Sequence, residues 1–499
     1  MSSASVVLLT LVVAVTAIGF LAARWGSANL AHLEEWALGG RRFGTIVSWF
    51  LLGGDVYTAY TFIALPALLY GAGALGFFAV PISPLVYAIV LVVMTRFYCV
   101  ARRRGYITTA DFVRDRYGDR TLEIAIAATG VVALMPYIAL QLVGMKAVFL
   151  QLGGAFETDG GLPALTVAFA LLAAYTYTSG LRGPALIAVV KDTLIYVTVI
   201  AAIVIIPAKL GGWSHIFAAA QRTLSARPAP ASIYLTPSQY FTFATRALGS
   251  ALALFMYPNL ITGLLSASGK EVIRRNAVLL PVYGLLLGFL ALLGYCAIAA
   301  GIVTTNTSTV IPKLFAQFFP DWFAGVAYAA VVIGALVPAS IMCISAANLF
   351  ASNIFSEFSS DRTPIDCRIA KRVTIAMCAF GLLFVIVLPV VYAIDFQLLA
   401  GCLILQVFPA VVFGLWTRWF HSKALLAGWA CAVITSCAMA YASNFSPDFT
   451  IAIFGIKLTG FIALYGLIVN LVVSAAVTLM LHALGSRRGI DSTAAADYA

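Results

Sequence analysis

The residues of this chain that could do chemistry are few, and they sit where a membrane helix should be most apolar. Asp55 lies in WFLLGGDVYTAYTFIALPALLYGAG, where Gly53 and Gly54 weaken the helix just before it. Tyr57, Thr58, Tyr60 and Thr61 follow, and Pro66 removes a further backbone donor. A carboxylate in such a segment is expensive unless water, a cation or a basic partner compensates it. Two uses fit Asp55: cation handling with organisation of a central cavity, or a structural pairing. Gln141, in LMPYIALQLVGMKAV, needs polar company inside the fold, near the bend that Pro136 allows. Tyr257, Pro258 and Asn259 interrupt SALALFMYPNLITG, which reads either as an opened helix or as proline-kinked packing. VPASIMCISAANLF offers Ser340, Cys343 and Ser345. Hydroxyls and loosened carbonyls suit a hard cation, while the small residues alone would serve close helix packing.

These groups do not form a catalytic constellation. The chain carries no phosphate-loop pattern, no HExxH and no GxSxG, so ATP-driven pumping and common hydrolase chemistry lack support. None of the eight cysteines stands in a CxxC pair, which argues against a zinc centre or a disulfide framework. The reading is a protein that is not an enzyme and has no resident cofactor.

The elements that must position these residues are membrane spans. With 62% hydrophobic and 10% charged residues, the chain lacks the polar exterior of soluble domains, which carry roughly 25% charged residues. The net charge of +11 is spread between apolar segments, so it marks topology and not a nucleic-acid surface. Thirteen apolar segments are expected, over 5–23, 44–70, 73–95, 124–152, 163–180, 185–208, 241–262, 277–302, 322–350, 371–391, 396–416, 423–441 and 458–483. The first lacks a basic flank before it and reads as a retained span, not a cleaved signal.

With the amino terminus outside, 22 lysines and arginines fall on the cytoplasmic side and 5 on the external side. That asymmetry sets the orientation and supports the odd number of spans, leaving the carboxyl terminus cytoplasmic. On the cytoplasmic side, 101–123 should hold a short helix capped by Thr108 or Thr109, with Asp111 in its first turn. Phe112 and Tyr117 form its apolar side, and Arg114 and Arg116 face water and anionic headgroups. The stretch 209–240 reads as an external loop, and the tail after Arg488 as disordered. Lys191 and Asp192, being adjacent on a helix, are not expected to pair with each other. A gating or structural role suits them and Arg182.

Several ordered blocks together resemble the sodium:solute symporter family, most closely its bacterial monocarboxylate branch. They are GGDVYTAYTFIALPALLYG, GYITTADFVRDRYG, MPYIALQLVGM, AAYTYTSGLRGPALIAVVKDTLIYV, GSALALFMYPNLITGLLSAS, RRNAVLLPVYGLLLGFLALLGY and VPASIMCISAANLFASNIF, and they span nearly the whole chain. The resemblance implies an all-α polytopic protein with a LeuT-like inverted-repeat core, built from 44–208 and 241–416. Residues 1–43 would be a peripheral helix and link, 209–240 the external loop between repeats, and 417–499 two peripheral helices and a tail. It also implies secondary uptake of lactate, pyruvate, acetate or propionate by cation symport, in the inner membrane of a bacterium. Symport of another small solute such as alanine is the alternative, and an ion channel or membrane sensor a more distant one.

By the same resemblance, Tyr57, Thr58, Tyr60, Gln141, Tyr257 and Asn259 would contact substrate. Gly54, Asp55, Tyr57, Ser340, Cys343 and Ser345 would handle the cation, with Na+ at Gly54, Tyr57 and Ser340. Met342–Cys343 departs from the hydroxyl pair of many sodium-coupled relatives, and sulfur is a poor ligand for sodium. Sodium is the expected coupling ion and the proton, carried by Asp55, the alternative. The expected partners are the monocarboxylate, a monovalent cation and membrane lipids, with no nucleic acid and no obligate protein partner.

Overall fold

In the computed structural model the described residues are 2–25, 29–58, 60–156, 158–227, 231–358, 367–387, 393–453 and 455–498. Among them, ten helices are long and apolar enough to cross a membrane, or twelve if each of two bent pairs is one span. The first half of the span expected over 44–70, Thr45–Val56, is too short to span alone. The continuation, Thr61–Arg104, runs 44 residues, about twice what one crossing needs. It turns at Gly73, whose φ of +65° suits glycine.

Glycine and proline explain both breaks. Thr45–Val56 stops after Gly53–Gly54, with Tyr57 in a non-helical conformation. The chain resumes through a π-turn at Tyr60–Ala64 and a helix at Leu65–Ala72, with Pro66 in its first turn, where a missing N–H costs nothing. In the second half Tyr240–Leu254 gives way to Pro258–Leu265 with a bend of 49°. There Pro258 again opens the new helix. The interruptions predicted at Asp55 and at Tyr257–Asn259 are thus real discontinuities.

Asp321–Leu349 runs through the middle of the bundle, buried along almost its whole length. It packs against Ser3–Leu21, Arg120–Leu152, Arg182–Lys209 and Cys367–Val387. Alanine-rich stretches such as AYAAVV allow that crowding. One expectation is corrected outside the spans. The stretch read as a loop over 209–240 contains a helix, Trp213–Ser225. Before the last helix, Ile462–Ala483, an antiparallel hairpin pairs Asp448–Ile453 with Ile456–Phe461.

The tail after Arg488 is not disordered along its described length, and Arg116 does not face water. Asp491 sits 2.8 Å from Arg116 and also meets Arg418. Ser492 donates its N–H to Asp115 O at 2.8 Å, and the Tyr498 ring lies under the Arg96 and Arg116 guanidiniums. The tail therefore docks on the helix Thr109–Tyr117, which Thr108 caps in a reciprocal box with Asp111. Charge-assisted pairs and cation–π contacts supply what a polar, alanine-rich sequence could not signal.

Candidate functional site

Asp55 and Asn259 stand at the two breaks, and the structure joins them. Asn259 Nδ2 donates to Asp55 Oδ2 at 2.6 Å, and both side chains are buried. The other carboxylate oxygen, Oδ1, has no hydrogen-bond partner among the described residues. A buried carboxyl group left half satisfied leaves that oxygen available for a proton, a further donor or a cation.

Beside this pair lies Lys191, on the helix Arg182–Lys209, with no solvent exposure. Its Nζ donates to Gly54 O at 2.5 Å and to Tyr57 O at 3.2 Å, and lies 3.0 Å from Asp192 Oδ1. The expectation that Lys191 and Asp192 do not pair is therefore overturned. Adjacent helix positions point apart, but both side chains lean toward the gap at Gly54, and a four-carbon stem lets the ammonium swing to Asp192. Gly54 makes the approach feasible, since a Cβ there would lie 2.7 Å from Nζ.

The remaining cation candidates are turned to other partners. Ser340 Oγ donates to Val337 O at 2.8 Å. Cys343 Sγ accepts from Cys378 Sγ at 3.5 Å, so its sulfur engages the neighbouring helix. Ser345 Oγ lies 2.8 Å from Thr262 Oγ1 and 2.7 Å from Ile341 O, which ties the central helix to the second broken one. Gln141 Nε2 donates to Tyr137 O at 3.2 Å. Thr58 is fully buried, with its N–H on Thr61 Oγ1 at 3.1 Å. The Tyr60 side chain lies outside the described residues.

A cavity of about 70 Å³ opens between the two breaks. Thr61, Ser83, Tyr137, Ser250, Tyr257 and Gln397 supply its polar lining, and Leu254, Leu287 and Phe461 are among its apolar walls. Tyr137 and Tyr257 meet edge to face at 5.4 Å. Ser83 Oγ, Ser250 Oγ and Gln397 Oε1 are buried without hydrogen-bond partners among the described residues. Buried polar atoms without partners around one small cavity make it a candidate solute-binding pocket. Of the expected substrate residues whose side chains are described, Tyr257 lines it, and Tyr57, Thr58, Asn259 and Gln141 do not.

The sequence reading missed Ser83 and Gln397, and did not name Ser250 as a contact although it lies beside the second break. Gln397 carried a faint signal, as a lone amide in the apolar run DFQLLAG, but serines are common in packed helices and marked nothing.

Two broken helices that meet beside a small, mainly apolar cavity, inside a bundle of long apolar helices, have the architecture of a secondary transporter. The sequence profile of the sodium:solute symporter family matches residues 36–431, and the chain belongs to that family. It is 47% identical over 474 residues to a monocarboxylate transport permease protein of Rhizobium johnstonii, covering 94% of this chain and 95% of the relative. It is 33% identical over 428 residues to the uncharacterized symporter YodF of Bacillus subtilis, covering 84% of each. A solved structure of a Na+-coupled sialic acid symporter, substrate-bound and outward-open, superposes with a TM-score of 0.77. That match covers 96% of this chain and 98% of the other at 15% identity. The fold is thus LeuT-like, as expected. The family is one of solute–cation symporters, and this chain is an integral membrane member of it.

Proposed function

We propose that this protein takes up short-chain monocarboxylates such as lactate, pyruvate, acetate or propionate by cation symport across a bacterial inner membrane. The observation that carries the reading is its 47% identity, over nearly the full length, to a relative described as a monocarboxylate permease. The cavity agrees in size and chemistry. Each water-sized group needs roughly 10–15 Å³, so about 70 Å³ suits a handful of heavy atoms. The hydroxyls of Ser83 and Ser250, unpaired among the described residues, can donate to a carboxylate, and the apolar wall suits a short alkyl chain. Burying that anion alone would be costly, which favours carrying a cation with it.

The two halves, 44–208 and 241–416, would be inverted repeats related by a two-fold rotation in the membrane plane, each opening on a broken helix. The amino terminus would be outside and the 101–123 link cytoplasmic. Saturable, gradient-driven uptake of labelled pyruvate or lactate into proteoliposomes, above the leak of protein-free vesicles, is the expected result. Uptake of alanine but none of the four acids would overturn the substrate assignment. An impermeant maleimide should reach Arg103→Cys only from the cytoplasmic face; labelling from outside would overturn the orientation.

A further inference from the structure

The family's description implies sodium, so the donors at Gly54 and Tyr57 must be asked whether they suit it. A hard monovalent cation wants several oxygens converging on one point. The break after Gly54 does free carbonyls, but Gly54 O and Tyr57 O both accept hydrogen bonds from the Lys191 ammonium. Such charge-assisted bonds are short and strong. From the central helix, Ser340 spends its proton on Val337 O and keeps only its lone pairs for a cation, while Cys343 engages Cys378. Cys343 would in any case offer sulfur. The residues present do not fit sodium at this place.

We propose that Lys191 is a tethered cation: its ammonium holds the position on the Gly54 and Tyr57 carbonyls that a mobile Na+ would take, so sodium does not bind there. The protein supplies the supporting features. Lys191 is fully buried, Asp192 stands 3.0 Å away as its counter-charge, and Gly54 alone leaves room for Nζ. A dissolved ion arrives and leaves with each cycle, whereas the ammonium stays attached to its helix. It can brace the broken helix but cannot be delivered to the other side, so a sodium gradient has no purchase at this point.

This inference concerns the cation and rests on the transport reading only for its uptake arm. Purified protein in detergent is titrated with radioactive sodium and, separately, melted with and without NaCl at constant ionic strength. The wild type should bind no sodium and show no Na+-specific rise in Tm. Lys191→Ala empties the ammonium position and should gain both. Sodium bound by the wild type, with Lys191→Ala leaving that binding unchanged, overturns the proposal. So does a folded Lys191→Ala protein that gains no sodium binding. If Lys191→Ala does not fold, the wild-type titration decides alone: no sodium bound supports the proposal, and stoichiometric binding overturns it. In proteoliposomes, wild-type pyruvate uptake should stay within about twofold when sodium is replaced by N-methylglucamine at equal pH. Lys191→Ala should lose about tenfold or more in that buffer and recover with Na+ or methylammonium. If no monocarboxylate is taken up at all, the substrate reading fails, while the binding titration still tests Lys191.

Discussion

At the scale of single residues, the informative group is one with no side chain. Gly54 exists so that a lysine from another helix can reach two backbone oxygens, with Nζ 2.7 Å from where a Cβ would sit. A methyl there must push the flexible end of Lys191 off the carbonyls. Hydrogen bonds to a charged group contribute about 1.5–3 kcal/mol each. Gly54→Ala should therefore cut the uptake rate roughly 10- to 150-fold if one such bond is lost. The same change added to Lys191→Ala should cost little more, because its target is already gone. A double-mutant cycle on initial uptake rates checks this, and additive losses would mean that Gly54 acts through the backbone break alone.

At the scale of elements, a second polar cluster holds the end of the central helix to the short capped one. The π-turn Phe350–Phe355 carries Asn353, which accepts from Thr108 Oγ1 at 2.7 Å. Its Nδ2 donates to Asp111 Oδ1 at 2.6 Å and to Glu123 Oε1 at 2.9 Å, and Arg114 lies 3.7 Å from Glu123. Burial pushes the Asp111 carboxyl above its ordinary value of 3.8, and the bonds from Asn353 and Thr108 oppose that rise. A raised folded value means that Asp111 favours folding fully below its ordinary range, and that this contribution is lost as pH climbs through the folded value. Asn353→Ala removes a donor to the charged form and pushes Asp111 further up. The variant should lose about 1–3 kcal/mol of stability at neutral pH, and the deficit should shrink on acidification toward the ordinary carboxylate range. Melting curves across pH test it, and a deficit that does not vary with pH would count against the charge-based account.

These two cases show what the sequence could and could not tell. The breaks were legible, because Gly53–Gly54 and Pro258 act through the local backbone, and local effects are written in neighbouring letters. The capping box at Thr108 and Asp111 was legible for the same reason. Lys191 was not: its partners lie 134 and 137 positions away along the chain, and helix geometry taken alone argued against its contact with Asp192. The Ser83, Ser250 and Gln397 constellation was equally hidden, since only the packing of separate spans brings it around one cavity. The tail misled in the opposite direction. Its composition reads as disorder, yet its few charged and aromatic groups meet arginines drawn from 96, 116 and 418.

Seen as a whole molecule, the bond between Asn259 and Asp55 joins the two helix breaks, which in the proposed inverted-repeat arrangement are the hinges of the two halves. Two doors pinned together are hard to leave ajar separately. A state with one hinge displaced must break a charge-assisted bond, at about 1.5–3 kcal/mol, which makes it roughly 10- to 150-fold rarer. That rarity is a form of insulation. A symporter that opens on both sides, or slips through half a cycle without its solute, short-circuits the gradient it runs on. Asn259→Ala should therefore yield a leaky protein more readily than a dead one. Proteoliposomes holding it should dissipate an imposed ion gradient with no solute present, at least several-fold faster than the wild type, as followed by a pH- or ion-sensitive dye. If the gradient persists while solute uptake falls, the bond serves solute binding and not the seal. The small size of the energy matters here too. A much stronger pin would hold both doors shut, so a single hydrogen bond to a carboxylate suits a machine that must stay tight at rest and still turn over.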